Sequence, residues 1–304
     1  MTQAARARET GNLHFAVVGA GVAGMTCARE LVARGYRVTV FEARGAVGGR
    51  LASLRLDAGL VDVGAQYLTV QGETFANEVR RWVGADLLRS WEPVLAELDN
   101  GRASTLQATM ASFVGVPTMQ SLAEFLALNL EIVLDTAIGR IARGSTEWFL
   151  FDTRGRQLGI AGFDGVVVAI PSIDALVLVR DQTDLADVLE AVQWDACWSA
   201  SLTLSRPSGI EFDGAFINDD PILAWAARES SKPLRVMPEG VAERWVLQAR
   251  SSWSNSFAAM APDDAARWMQ RAFAARLARP MAQKSCAAVL WRAGFPATRC
   301  SWCR

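Results

Sequence analysis

The alternation of apolar and polar positions predicts a strand, a helix and a second strand at the start of the chain. Residues 15–18 are a short apolar run that fits a buried parallel strand. A helix is predicted from about Val22 to Ala33, and Gly35 follows it where glycine commonly ends helices. Residues 37–41 are predicted as the second strand. This order is typical of an α/β fold with a parallel sheet.

Further patterns predict elements along the rest of the chain. In order they are short strands within 51–63, a helix over 73–83, an extended segment over 91–98, a helix over 117–128 capped by Thr118 or Ser121, a strand over 131–134, an antiparallel three-stranded meander within 137–158 and a buried strand over 165–170. From residue 172 the pattern changes. Strands rich in tryptophan near 197–205, 215–218, 223–228 and 244–249 precede a helix over 263–278. We therefore expect a second, smaller α+β domain with a mixed sheet.

The turn between the first strand and helix has the spacing of a dinucleotide clamp. Gly19, Gly21 and Gly24 form a G-x-G-x-x-G motif. The first glycine permits the tight turn, the second lets the backbone approach a pyrophosphate, and the third lets the helix pack against the strand. The following helix points its N-terminal amides at the phosphates.

Two further features extend this motif. Glu42 ends the second predicted strand, 18 residues after Gly24, near the spacing of a carboxylate that binds a ribose. Residues 48–50, with the sequence Gly-Gly-Arg, follow it. A lone glycine motif is weak evidence, but the ordered set indicates a protein whose chemistry comes from a bound cofactor.

Composition narrows the function classes. A formal net charge of −1 argues against nucleic-acid and anionic-membrane partners. We find neither a signal peptide nor an apolar run of membrane-spanning length, and five scattered cysteines fit a reducing cytoplasm. The single histidine, His14, argues against histidine-based triads and multi-histidine metal sites, so no metal is expected. Cys300 and Cys303 have the spacing of a metal-binding or redox pair, but they lack a second pair.

Several stretches together resemble one group of flavoproteins. Glu42-Ala43-Arg44 with residues 48–50 is similar to the FAD-binding signature of the amine-oxidase-like flavoproteins. Residues 62–67, with the sequence DVGAQY, resemble the renalase-like branch of that group. The remaining similar stretches are 114–119, 163–170, 224–225, 228–233 and 253–254. The resemblance covers residues 14–296.

The resemblance implies a two-domain fold that holds FAD noncovalently. It implies oxidation of misreduced dihydronicotinamides, the 2- or 6-dihydro isomers, to NAD(P)+, with oxygen reduced to hydrogen peroxide. The glycines would hold the pyrophosphate, Glu42 the ribose, and Arg44 and Arg50 would flank the phosphates. The full set assigned to the cofactor is Gly19, Ala20, Gly21, Val22, Ala23, Gly24, Glu42, Ala43, Arg44, Gly49, Arg50, Gly64, Ala65, Ile138 and Ala169.

Flavin chemistry then suggests what the substrate site needs. Hydride passes from an electron-rich dihydropyridine to the flavin, so the protein must orient and shield the reactants, and it needs no acid–base histidine. Gln66 and Tyr67 are candidates for lining the isoalloxazine. Trp225 and Trp253 are candidates for the walls of the substrate pocket, although tryptophans in strands more often belong to the core.

The family pattern also predicts domain boundaries. The FAD-binding domain would comprise 12–65, 130–171 and 285–304, and the substrate domain 66–129 and 172–284. Members of the family continue past the equivalent of Trp291 into a strand, a Gly-Asp motif and a helix, which residues 297–304 do not resemble. We therefore expect a sequence truncated or shifted in frame near residue 297. Gln248 stands where family members commonly have a histidine.

Three other interpretations stay open. A flavin amine oxidase would use a lysine near the flavin, and Lys232 and Lys284 are the two lysines of the chain. A non-catalytic remnant would keep the clamp without holding FAD productively. A protein that holds NAD(P) tightly would also use Glu42, but the extension at 48–50 is a flavoprotein feature.

Overall fold

The structure, a computed structural model, describes residues 13–56, 59–99, 102–107, 109–180, 183–278 and 281–297. In these ranges the helices are α1 (Val22–Ala33), α2 (Glu73–Gly84), α3 (Gln120–Ala127), α4 (Ser172–Val179), α5 (Thr183–Glu190), α6 (Ser251–Ser256) and α7 (Pro262–Leu277). None of them is both long and apolar enough to cross a membrane.

The strands of the described ranges follow in chain order. They are β1 (His14–Val18), β2 (Arg37–Phe41), β3 (Ser53–Leu56), β4 (Gly59–Asp62), β5 (Leu68–Thr69), β6 (Leu88–Trp91), β7 (Leu95–Asp99), β8 (Arg102–Leu106), β9 (Ser112–Gly115), β10 (Glu131–Val133), β11 (Ile138–Arg143), β12 (Trp148–Asp152), β13 (Gln157–Phe163), β14 (Gly165–Val168), β15 (Trp194–Leu204), β16 (Gly214–Ile217), β17 (Leu223–Arg228), β18 (Glu243–Ala249) and β19 (Gln283–Pro296).

The chain divides into two compact units. The first unit comprises the described residues that fall within 13–49 and 123–193, and the second unit comprises those within 50–122 and 194–297. The second unit is the larger of the two, whereas the sequence predicted that the second domain would be the smaller.

The first unit is built on a parallel sheet in the order β10–β2–β1–β14. The sheet is in register through its centre, where Val17 lies between Val40 and Val167. Strands buried in this way consist of short apolar runs, which made β1 and β2 predictable. The bounds of β2 and α1 are as predicted, and β1 begins one residue earlier, at His14. The antiparallel sheet β11–β12–β13 contributes Leu150 and Phe163 to the same core.

The second unit is built on a mixed sheet of seven strands in the order β19–β15–β18–β17–β16–β7–β8. Its pairings are antiparallel except for the parallel contact between β16 and β7. Met269 and Phe273 of α7 pack on its apolar face, with the Phe273 ring centroid 5.3 Å from that of Trp245. The mixed sheet agrees with the predicted fold class.

The compact units differ from the predicted domain boundaries in three main places. Residues 285–297 belong to the second unit, because β19 pairs along the length of β15. Residues 50–65 also belong there, since Val61 and Val63 pack against Val246 of β18. Residues 172–193 belong to the first unit, because Leu178 and Val179 of α4 join its core. Residues 298–304, including Cys300 and Cys303, lie outside the described residues.

Candidate functional site

The glycine-rich turn of the first unit is packed closely at two of its three glycines. Gly19 has a φ of +104°, and a Cβ there would lie 2.8 Å from the carbonyl oxygen of Ala169. At Gly24 a Cβ would lie 2.0 Å from the Gly19 carbonyl oxygen. Both positions therefore require glycine for backbone conformation or close packing.

The third glycine, Gly21, has a different environment. It is the N-cap of α1, with no capping hydrogen bond from a side chain, and the first turn of α1 carries no acidic residue. A Cβ built on Gly21 would meet no other atom of the described residues within 4 Å. Gly48 forms a bridge with Gly21 from the other side. The backbone here is open to a ligand, and the helix N-terminus favours an anion.

Glu42 is oriented by the backbone of the same unit. One carboxylate oxygen accepts the N–H of Ala20 at 2.8 Å, and the other accepts the N–H of Arg44 at 3.0 Å. The side chain is 8% exposed. A carboxylate held in this way keeps free lone pairs for a pair of hydroxyl donors such as a ribose diol. The open helix N-terminus and this carboxylate fit the adenosine diphosphate portion of a dinucleotide.

The other residues assigned to the cofactor lie in different settings. Ala169 follows β14 beside Gly24, and Ile138 begins β11 against the core of the first unit. Ala43 and Arg44 are exposed just after Glu42. Arg50, Gly64 and Ala65 belong to the second unit, where the Ala65 N–H donates to the Arg50 carbonyl at 2.9 Å. Cofactor contacts of all these residues stay predictions.

A cavity of about 380 Å³ lies within the second unit. It brings together three of the four predicted active-site residues, Gln66, Tyr67 and Trp225. Trp225 lies between two rings, with centroid distances of 4.6 Å to Phe216 and 5.8 Å to Tyr67. The complete lining is Arg50, Gly64, Ala65, Gln66, Tyr67, Cys197, Phe216, Trp225, Gln248, Trp291, Gly294 and Phe295.

Trp253 is not among the lining residues. It lies in α6 and packs against the core of the second unit, with its ring centroid 5.4 Å from that of Phe257. Trp253 therefore packs as a core residue does. Trp225 is also in a core, since it is 7% exposed and belongs to a buried cluster with Trp91 and Val114, but it lines the cavity as well. The structure does not place Trp253 in the same site as Trp225.

Sequence reasoning missed several lining residues. Trp291 and Phe295 lie on β19, which was assigned to the other domain, and Phe216 faces Trp225 across β16 and β17. The sequence offered one indication that Phe216 lies beside Trp225, namely that two neighbouring predicted strands each contain an aromatic residue. For Trp291 and Phe295 the sequence carries no local signal, since their position depends on the pairing of β19 with β15.

The cavity is apolar with a few polar groups and no acidic side chain among the described residues that line it. Arg50 supplies a positive charge. Burial raises the pKa of Tyr67 above its ordinary value and that of Cys197 to about 12, so both are neutral near pH 7. Gln66 and Gln248 supply amides, and both donate to the Gly64 carbonyl at 3.1 Å.

Behind Gln66 lies a buried cluster of two acids and two bases, Asp62, Glu229, Lys232 and Arg235. The ammonium of Lys232 lies 2.5 Å from Glu229 and 3.6 Å from Asp62, and it donates to the Gln66 amide oxygen at 3.1 Å. Arg235 pairs with both acids. Burial and Glu229 raise the pKa of Asp62 against the opposing effect of the two bases. Burial alone would raise the pKa of Glu229, but Lys232 and Arg235 lower it.

Residues with metal-ligand chemistry do not cluster in the part of the chain that the structure describes. No group of three or more His, Cys, Asp or Glu side chains there could hold a metal ion.

Comparisons with known proteins agree with the clamp. Residues 17–83 match the model of the NAD(P)-binding Rossmann-like domain. A similar segment occurs in protoporphyrinogen oxidase 2 of Arabidopsis thaliana, 52% identical over 54 residues, and in putrescine oxidase of Kocuria rosea, 49% identical over 53 residues. These segments cover 18% and 17% of this chain and 11% of each relative. The likeness to each relative is therefore limited to a short segment of both chains.

Two solved structures show the fold over most of the chain. The cyclohexylamine oxidase of Brevibacterium oxydans is 13% identical with a TM-score of 0.70, covering 92% of this chain and 84% of that one. An oxidoreductase from Methanosarcina mazei is 11% identical with a TM-score of 0.68, covering 93% and 89%.

These likenesses define the class of the fold. The chain contains a Rossmann-like dinucleotide-binding domain, and its fold is similar to those of the two solved structures over most of its length. The chain is also similar, over segments of 54 and 53 residues, to two oxidases, and this likeness supports the prediction of an oxidoreductase.

Proposed function

We propose that this protein is an FAD-dependent oxidoreductase of the renalase type, which oxidises 2- or 6-dihydro isomers of NAD(P)H. The substrate would lose a hydride and become NAD(P)+. Oxygen would take up the two electrons together with two protons and leave as hydrogen peroxide. The proposal has two parts, the cofactor and the substrate, and they rest on different residues.

For the cofactor, the clamp of the first unit supplies the contacts. Gly21 and the N-terminus of α1 would hold the pyrophosphate, and the carboxylate of Glu42 would bind the adenosine ribose. The Gly-Gly-Arg sequence of residues 48–50 favours FAD over a tightly held NAD(P). When bound, FAD supplies a two-electron acceptor that oxygen reoxidises.

For the substrate, the composition of the cavity carries the proposal. An amine substrate enters largely as an ammonium ion, and burying it beside Arg50 without a carboxylate would be costly. A dihydropyridine ring is flat, neutral and electron-rich, and it can stack on Trp225 and Tyr67. The amide of Gln248 offers a partner of the right type for the carboxamide of a nicotinamide. The absence of an acidic side chain among the described lining residues therefore favours dihydronicotinamides over amines.

These residues would act by orientation and by exclusion of water. Trp225, Tyr67 and Phe216 would hold the ring plane, and an apolar lining would keep water from the reacting carbon. No side chain has to remove a proton from the substrate, because a hydride leaves the dihydropyridine directly. Tyr67, whose raised pKa keeps it neutral, and Cys197 are consistent with such a site.

An amine oxidase is the second candidate, because similar proteins include a putrescine oxidase and a cyclohexylamine oxidase. Such an enzyme would need a lysine near the flavin, and the environment of Lys232 does not support that role. That ammonium is fully buried, and Glu229, Asp62 and Gln66 surround it. Lys284 is exposed and donates to backbone carbonyls of Glu239 and Gly240.

Rapid mixing of the FAD-loaded protein with candidate substrates tests the proposal. Flavin reduction, followed as loss of absorbance at about 450 nm, is expected with 6-dihydro-NAD and 2-dihydro-NAD under anaerobic conditions. Benzylamine and putrescine are expected to leave the flavin oxidised. Reduction by the amines alone would overturn the proposal in favour of the second candidate. A colourless protein that does not take up added FAD would favour the non-catalytic remnant.

A further inference from the structure

The amide of Gln66 has one possible orientation. Its nitrogen donates to the carbonyls of Asp62 and Gly64, the latter at 3.1 Å, and its oxygen accepts from the Lys232 ammonium at 3.1 Å. If the amide were flipped, its oxygen would face two carbonyl oxygens and its nitrogen would face an ammonium that can only donate. The two carbonyls and the Lys232 ammonium together therefore determine which way Gln66 points.

The environment of Lys232 keeps this contact in place. Its side chain and those of Asp62 and Glu229 are 0% exposed, and that of Arg235 is 3% exposed. Within these four residues each charge lies beside one of opposite sign, which is the condition under which buried charges are tolerated. The guanidinium of Arg244, also buried, adds a further positive charge that interacts with Glu229. If Lys232 turned toward water, Glu229 would lose one of its two buried partners and would keep only Arg235.

The cluster also fixes the backbone that carries Gln66. Asp62 accepts hydrogen bonds from the Ser53 hydroxyl at 2.6 Å and from the Met119 N–H at 2.9 Å, and it pairs with Arg235. Gln66 follows Asp62 by four residues and bonds back to its carbonyl. The segment from Asp62 to Gln66 is thus held at both of its ends.

We propose that Lys232 is a positioning residue for the cavity, acting through Gln66. It touches neither the proposed substrate nor the proposed cofactor. It holds the Gln66 amide as a rigid part of the cavity wall, and the carboxylates of Glu229 and Asp62 hold Lys232. This inference rests on the proposed function only in taking the cavity as the place where the substrate ring binds.

A neutral double substitution tests the role of Lys232 with limited damage to the fold. Lys232→Met combined with Glu229→Gln removes one charge of each sign and leaves the pair of Asp62 and Arg235. The first readout is hydrogen exchange of the Gln66 side-chain amide by NMR, assigned by its loss in Gln66→Met. Exchange is expected to be at least about tenfold faster in the double variant, as for loss of one buried hydrogen bond. Lys284→Met, at an exposed lysine, is the control and should exchange as the wild type does.

The second readout is the rate constant of flavin reduction by 6-dihydro-NAD. The double variant and Gln66→Met are expected to lose a similar factor of about ten, and combining them should give no further loss, because both act on one wall. Losses that multiply would mean that Lys232 does not act through Gln66. Fast exchange of the Gln66 amide in the wild-type protein would overturn the inference without any variant.

The two readouts separate this inference from the proposed function. If no dihydronicotinamide reduces the flavin, the proposed function fails, while amide exchange still tests Lys232. If reduction occurs but amide exchange is the same in the double variant and the wild type, the positioning role is wrong.

Discussion

The carboxylate of Glu42 accepts the backbone N–H of Ala20 at 2.8 Å, across 22 residues of sequence. The bond joins the end of β2 to the glycine-rich turn that precedes α1. The other carboxylate oxygen accepts the Arg44 N–H at 3.0 Å, so both oxygens orient the backbone. A residue expected only to bind ribose therefore also determines the shape of the turn.

Substitution of Glu42 by Gln should affect both the fold and the cofactor. An amide can accept from only one of the two N–H groups, and its own nitrogen would face the other donor. We expect a loss of about 1–3 kcal/mol in the free energy of unfolding of the apoprotein. FAD affinity should fall by about tenfold or more, since a charged acceptor for the ribose is lost. Urea unfolding and fluorescence titration with FAD measure the two effects, and unchanged affinity would contradict the assignment.

Substitutions at two glycines of the clamp should affect stability and FAD affinity to different extents. Gly21→Ala places a methyl group in open space, so stability should stay within about 0.5 kcal/mol of the wild type. FAD affinity should nevertheless fall, because the methyl occupies the approach of the pyrophosphate. Gly24→Ala puts a Cβ against the Gly19 carbonyl and should cost about 3 kcal/mol or more. Wild-type FAD binding by Gly21→Ala would show that no phosphate lies against that turn.

The clamp could be predicted because each of its parts is a local signal. A glycine that must adopt a φ of +104°, a helix that begins three residues later and an acid at the end of the next strand all follow from neighbouring residues. The bounds of α1 and β2 and the end of β1 were predictable for the same reason. The bonds from Glu42 to Ala20 and Arg44 were not, because ribose binding explains the acid equally well.

The cavity is formed by contacts between residues far apart in the sequence, and no local sequence pattern predicts such contacts. Phe295 and Trp291 reach it because β19 pairs with β15, and the apolar residues of 283–296 would suit a strand in either domain. Lys232 and Asp62 pair in the interior although they lie far apart in the sequence. In the sequence, Lys232 is one charge within a polar stretch, and its burial follows only from the partners that the fold supplies.

Trp225 and Trp253 form a matched pair for testing the cavity. Trp225→Phe should weaken binding of 6-dihydro-NAD by about threefold to tenfold, because part of an aromatic stacking surface is lost. Trp253→Phe should leave the KM unchanged and lower stability by about 1 kcal/mol, since that ring packs in the core. Steady-state kinetics and thermal unfolding of both variants make the comparison. An equal rise in KM in the two variants would contradict the separation seen in the structure.

Cys197 gives a test of the cavity that needs neither cofactor nor substrate. Burial raises its pKa to about 12, and the same holds for Cys286. At pH 8 the thiolate fraction of such a group is about one in ten thousand, against about one in four for an ordinary thiol. Because the thiolate is the nucleophile, alkylation by iodoacetamide in the native protein should be roughly a thousandfold slower than in urea. Mass spectrometry of the two peptides measures the rates.

The pH dependence of the alkylation rate provides a second test of the raised pKa of Cys197. A raised pKa means that the neutral thiol is the favoured form across the neutral range, so the alkylation rate of Cys197 should rise about tenfold for each pH unit up to the limit of native stability. In urea the rate should level off near the ordinary thiol pKa, and this denatured sample is the control. Rapid native labelling of Cys197 at pH 8, with Cys286 still protected, would mean that the cavity is wetter than its apolar lining indicates. Such a cavity would shield a hydride transfer poorly, and the case for a dihydronicotinamide site would weaken with it.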